Sequence, residues 1–294
     1  MDKLNFSGHE TFVCRQSWLK KGYDFVKAGF SFSNESAVIH LGVGKNMVTA
    51  IRYWLKSFAL INEDETPTEL AEYIFADDGR DPYLEDIGTI WLLHYFLIKT
   101  KKASIYHLIF NLFRREERPD FQRHSLLKFL KSESFDTNSR LVNESTLIND
   151  VSVFVRSYSK SNDSKKDIEE EMTGLLKELN ILKLFKYRSE LDNNQIELLS
   201  LQNNNSSDVP FQIILFAIID NEQFGKSVSL NELLKSQGSV GRIFLINSEL
   251  LIDNIKLMEE KYSGITFSET SGNQVIQFKN KPNKWKVLDD YYKT

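Results

Sequence analysis

Two glycines in three residues, in the stretch Leu41-Gly42-Val43-Gly44-Lys45, constrain this chain more than any other feature. Glycine reaches positive φ angles at no steric cost, so the pair predicts a tight turn. Before the turn, Ser33 or Asn34 can cap a short helix over roughly 35–41. After it, the spacing predicts a helix starting at Lys45 with two faces. Met47, Ile51, Trp54, Leu55 and Phe58 lie on one side, and Lys45, Thr49, Arg52 and Lys56 recur at i, i+4, i+7 and i+11 on the other. An earlier helix is expected from Ser17 to Ala28, where Trp18, Leu19, Tyr23 and Val26 keep helical spacing and Gly29 provides a stop.

Helix, short helix, glycine turn and two-faced helix is the order of a helix-turn-helix, whose last helix enters the major groove of DNA. A winged helix-turn-helix is therefore expected, with Lys45, Asn46, Thr49, Arg52, Tyr53 and Lys56 facing nucleic acid. The same charges also fit an ordinary solvated helix face. Between Leu60 and Phe75 a wing and a further helix both remain open.

Charge is unevenly spread. The net charge is −4, which argues against a protein that coats nucleic acid through positive charge alone. Residues 1–60 nevertheless carry eight basic against four acidic side chains, and residues 61–90 carry ten acidic against one basic. DNA contact must be local. A second basic concentration runs from Lys99 to Lys131.

The remaining chain is expected to be mainly α with small β wings. Apolar three- and four-residue steps predict helices across 87–131 and from Glu144 to Tyr158. Ser159–Lys166 reads as a linker, and the asparagine- and serine-rich segment 192–208 as a loop too polar to pack. The last third repeats the early order: helices at Pro210–Asn221, Ser229–Lys235 and Ser248–Tyr262, then strands at Ile265–Phe267 and Val275–Phe278. Its third helix exposes Glu249, Asp253, Glu259 and Glu260, which repel phosphate, so this part is expected to dock protein. Three domains follow: 1–90 for DNA binding, 91–165 helical, and 166–294 winged-helix-like. The lone Cys14 makes no internal disulfide, no signal segment is evident, and the apolar stretch Phe211–Ile219 is far short of the ~20 residues that cross a bilayer. A cytoplasmic location away from membranes is expected.

Candidate chemistry is sparse. Leu41–Lys45 lacks the spacing of a phosphate-binding loop, and Asn46 follows the lysine. The run Asp77-Asp78-Gly79-Arg80-Asp81-Pro82-Tyr83-Leu84-Glu85-Asp86 is able to collect Mg²⁺ for phosphodiester chemistry through Asp81, Glu85 and Asp86, but it equally suits turns and helix starts. His9 and Glu10 suit proton transfer, and the same residues suit a capped turn in which His9 is inert. His94 and His107 read as core histidines and Cys14 as a buried thiol.

Phe6-Ser7-Gly8-His9-Glu10-Thr11-Phe12, Trp18-Leu19-Lys20-Lys21, Leu41 through Val48, Ile51-Arg52-Tyr53-Trp54, Asp77-Asp78-Gly79 and Asp81 through Asp86 together resemble the domain of unknown function 4007 family. The resemblance runs nearly end to end. It implies a component of single-stranded DNA phosphorothioation systems, which replace a backbone oxygen by sulfur in anti-phage defence. Its expected partners are DNA, a cysteine desulfurase, an ATPase and an ATP-pyrophosphatase-like protein, and a homodimer is open. It further implies a nickase that prepares one strand for sulfur insertion, with His9, Glu10, Asp81, Glu85 and Asp86 as the catalytic candidates. A binding adaptor that cuts nothing is the alternative.

Overall fold

The first three helices pack around one apolar seam. In a computed structural model, which describes residues 4–113, 120–134, 142–159, 174–188, 195–202, 209–270 and 272–293, α1 is Gln16–Lys27, α2 Ala37–Leu41 and α3 Lys45–Ser57. Trp18, Leu19 and Tyr23 of α1 are buried with Val48, Ile51, Trp54 and Leu55 of α3. Gly22 makes the close approach: a Cβ there would lie 2.5 Å from Leu55 Cδ1. Of the glycine pair only Gly42 takes positive φ, at 62°, as the left-handed end of α2. Gly44, at φ −67°, instead precedes α3 in extended conformation.

Of the two continuations left open after Leu60, the further helix is present. Ile61 and Pro67 form an antiparallel bridge across a short turn, and α4 follows at Glu69–Phe75, capped by Thr68, whose hydroxyl accepts from Ala71 N. α5, Ile87–Lys99, is buried almost throughout, including His94, which contacts the Tyr158 hydroxyl at 2.8 Å. α6, Ser104–Leu108, runs into a π-helical turn at Ile109–Phe113. α7 is Arg123–Glu133 and α8 Glu144–Tyr158.

A three-stranded antiparallel sheet of order β1-β3-β2 joins Asp120–Phe121, Gln195–Leu201 and Leu182–Arg188. This corrects the loop expected over 192–208 where it covers 195–202. β3 is the central strand, paired on both edges, and Leu199 and Leu201 on it are buried. The expected linker lies outside the described residues except for Ser159, which is buried.

By contacts the described chain divides into two units, residues 4–109 with 120–202, and residues 110–113 with 209–293. The boundaries expected near residues 90 and 165 both fall in the sequence span of the first unit, where α5 packs on the short 3₁₀ turn Leu175–Leu179. The second unit has the order α9 (Phe211–Asp220), β4 (Ser227–Ser229), α10 (Leu230–Lys235), α11 (Val240–Ile243), α12 (Ser248–Lys261), β5 (Ile265–Thr270), β6 (Asn273–Phe278) and α13 (Lys284–Tyr292). Its sheet order is β4-β6-β5. Ser229 and Glu232 form a reciprocal capping box at the start of α10. No helix among the described residues is long and apolar enough to cross a membrane.

Candidate nucleic-acid interface

The exposed residues of α3 gather at its beginning. Lys45, Asn46 and Thr49 are exposed, because the left-handed turn at Gly42 throws the helix start outward while Val48, Ile51 and Trp54 hold the opposite side in the core. Further along, the stripe is covered by the acids that follow it. Arg52 Nε lies 2.7 Å from Glu65 Oε1, and Glu65 Oε2 accepts from Ser31 Oγ and Phe32 N. Lys56 Nζ lies 2.7 Å from Glu63 Oε2, and Lys102 pairs with the same carboxylate. These lysines hold the Glu63 carboxyl down to about 2, Lys102 contributing most. The Lys45, Thr49, Arg52 and Lys56 face read from the sequence is thus two exposed positions followed by two ion-paired ones.

Tyr53 is also turned inward. Its hydroxyl oxygen is buried, and burial together with the Asp150 carboxylate pushes its pKa well above the ordinary tyrosine value. Gly8 is required against it, since a Cβ there would stand 2.3 Å from Tyr53 Cδ2.

His9 is 1% exposed and packs edge-on to Tyr53 and face-on to Trp54. Its partner is Asp150 of α8, and not its neighbour Glu10, which is exposed. Nδ1 accepts the Thr11 N–H, so Nε2 carries the proton and donates to Asp150 Oδ1 at 3.1 Å. The same oxygen accepts Ser7 N–H at 2.9 Å. The turn holding His9 is strained: Ser7, Glu10 and Thr11 all have positive φ, which non-glycine residues seldom adopt. Arg156 donates to Thr11 O at 2.6 Å and ties that turn to α8.

The acidic run forms a rigid loop. Asp81 is buried, and its two oxygens accept Glu85 N–H and Asp86 N–H. Asp86 caps α5 by accepting Thr89 N–H. Gln16 donates to the carbonyls of Tyr83 and Leu84 and fixes the loop from α1. Glu85, Asp77 and Asp78 are exposed. Among the described residues no three His, Cys, Asp or Glu side chains gather as a metal-binding set. The carboxylates of Asp81 and Asp86 already serve backbone donors, so the run does not fit a ready-made magnesium cage.

The loop's product is an exposed ring. Tyr83 is 72% exposed although its backbone is pinned, and it edges a cavity of about 740 Å³ with Lys20, Lys21, Phe30 and His40. Phe30 and His40 stack with ring centroids 4.0 Å apart. Sequence reasoning did not select this groove. Tyr83 inside a quoted motif, flanked by turn-forming acids, was its one visible signal.

Fold and site together define a mainly helical protein with small antiparallel sheets and an outward-facing basic helix start. The chain belongs to the family of proteins of unknown function DUF4007, whose model matches residues 6–292. It is similar to a solved structure described as magnesium ion-bound SspB, with 26% identity over 98% of this chain and 88% of that one and a TM-score of 0.83. A second SspB crystal structure aligns at 26% identity over the same shares, with a TM-score of 0.80. Among curated proteins none matches the chain.

Proposed function

We propose that this protein is the DNA-engaging component of a phosphorothioation system, that it works in the cytoplasm beside a cysteine desulfurase, an ATPase and an ATP-pyrophosphatase-like protein, and that it nicks one strand for sulfur insertion. The observation that carries the reading is the likeness to SspB over 98% of the chain at 26% identity. Magnesium is proposed as the accompanying ion because one of the two similar structures is magnesium-bound.

The DNA-facing module is read as a winged helix formed by α1, α2, α3 and the Ile61–Pro67 bridge, and its contacts as Lys45, Asn46 and Thr49. A helix start of this kind offers backbone N–H groups and a positive dipole end to phosphate as well as the lysine. The C-terminal order α9-β4-α10-α11-α12-β5-β6 with sheet order β4-β6-β5 supports a second winged-helix unit. Glu249, Asp253, Glu259 and Glu260 on α12 favour protein docking there over phosphate.

A non-catalytic adaptor is the second reading. It is favoured by the burial of His9 against Asp150 and by the backbone duties of Asp81 and Asp86. Supercoiled plasmid separates the two. Incubation with the protein, its partner proteins and Mg²⁺ should yield open circles. Plasmid that is bound but stays closed under every condition removes the nickase and leaves the adaptor.

A further inference from the structure

At the C-terminal half of α3 a pocket of about 370 Å³ is lined by Tyr53, Lys56, Ser57, Glu63, Lys101 and Lys102, among others. Its chemistry is that of an anion site already holding an anion. Lys56 and Lys102 both converge on the Glu63 carboxylate, which comes from the turn between Ile61 and Pro67. Tyr53 and Ser57 complete the lining, with buried hydroxyl oxygens that neighbour each other.

Among the described residues the Glu63 carboxylate is held by its two lysines. Its side chain is 73% exposed and sits on a short surface turn, so it can swing into solvent at small cost. Once it leaves, two ammonium groups face a pocket of about 370 Å³, room enough for a phosphate-sized oxyanion. Lysine ammoniums act on such groups as point charges.

We propose that this pocket is a phosphate subsite for a nucleic-acid strand and that the Glu63 carboxylate is an internal stand-in, displaced when the strand binds. The choice of a strand as the source of the phosphate rests on the DNA-binding reading above, because the pocket continues the helix that begins at Lys45. Glu63 then acts as a built-in competitor that sets how tightly DNA is held.

The test uses the full-length protein, Glu63→Gln and Lys102→Gln, each checked for an unchanged unfolding midpoint. Fluorescence anisotropy is read with labelled strands carrying a 5′-phosphate or a 5′-hydroxyl, over a salt series. Glu63→Gln should bind about 3- to 10-fold tighter, with a salt slope steeper by about one unit, and Lys102→Gln should do the reverse. A gain confined to the 5′-phosphate strand assigns the subsite to a terminal monoester, and an equal gain on both assigns it to internal diesters. If wild-type protein binds DNA and both variants bind identically to it, the subsite is wrong and the DNA reading stands. If no strand binds, inorganic pyrophosphate decides: thermal stabilisation that grows in Glu63→Gln and vanishes in Lys102→Gln keeps the anion pocket while the DNA reading falls. No stabilisation overturns both.

Discussion

His9 donates a hydrogen bond to Asp150 across 141 residues of sequence, and both side chains are about 1% exposed. The carboxylate also accepts Ser7 N–H, so one oxygen of α8 anchors the turn on which the family signature begins. Removing it strands one buried and one part-buried donor. Asp150→Ala is expected to cost roughly 2–4 kcal/mol of stability, read as a lower urea midpoint. A midpoint within experimental error of wild type would show that this anchor carries no weight.

Asp81 offers a way to separate a turn from a metal site. As an acceptor for Glu85 N–H and Asp86 N–H it supports backbone, so Asp81→Ala should lower stability by about 1–3 kcal/mol to the same extent with and without Mg²⁺. Stabilisation of wild type by Mg²⁺ that disappears in the variant would instead make Asp81 a ligand. Thermal melts at two magnesium concentrations distinguish the outcomes.

On α3, exposure predicts rank. Lys45→Ala should weaken DNA binding and flatten its salt dependence by about one unit, since a phosphate contact and its counterion are lost. Arg52→Ala should change the slope less, because its charge is already engaged by Glu65. Equal slopes for the two variants would contradict the pairing.

The Cys14 thiol is buried, and burial pushes its pKa upward. In the unfolded chain a thiol ionises near ~8.5, whereas in the folded chain it stays protonated above that. Unfolding therefore releases a proton at alkaline pH, and stability present below ~8.5 is lost as pH rises, at up to about 1.4 kcal/mol per unit. The urea midpoint of wild type should fall more between pH 8.5 and 10 than that of Cys14→Ala. Parallel pH curves would reject this account.

Local signals were readable because they act locally. The start of α3 at Lys45 and the ends of α9, α10 and α12 follow from apolar spacing and turn residues within a few positions of each site. The His9–Asp150 bond was not, since no periodicity spans that separation. One hint existed: Asp150 stands between Leu147 and Phe154 on the apolar side of α8, where a charge needs a partner. Glu63 and Glu65 were legible as acids, but their reach back to Lys56 and Arg52 depends on the bridge that folds the turn beside α3. β3 was missed because its asparagine-rich surroundings masked the short apolar run that pairs on both edges.

The strained turn at Ser7–Thr11 is secured from α8, by Asp150 and Arg156. A chain emerging from the ribosome therefore presents its first signature motif long before the groups that shape it have been synthesised. That motif is an outcome of assembly, and a truncated protein ending before α8 would carry its letters without its conformation.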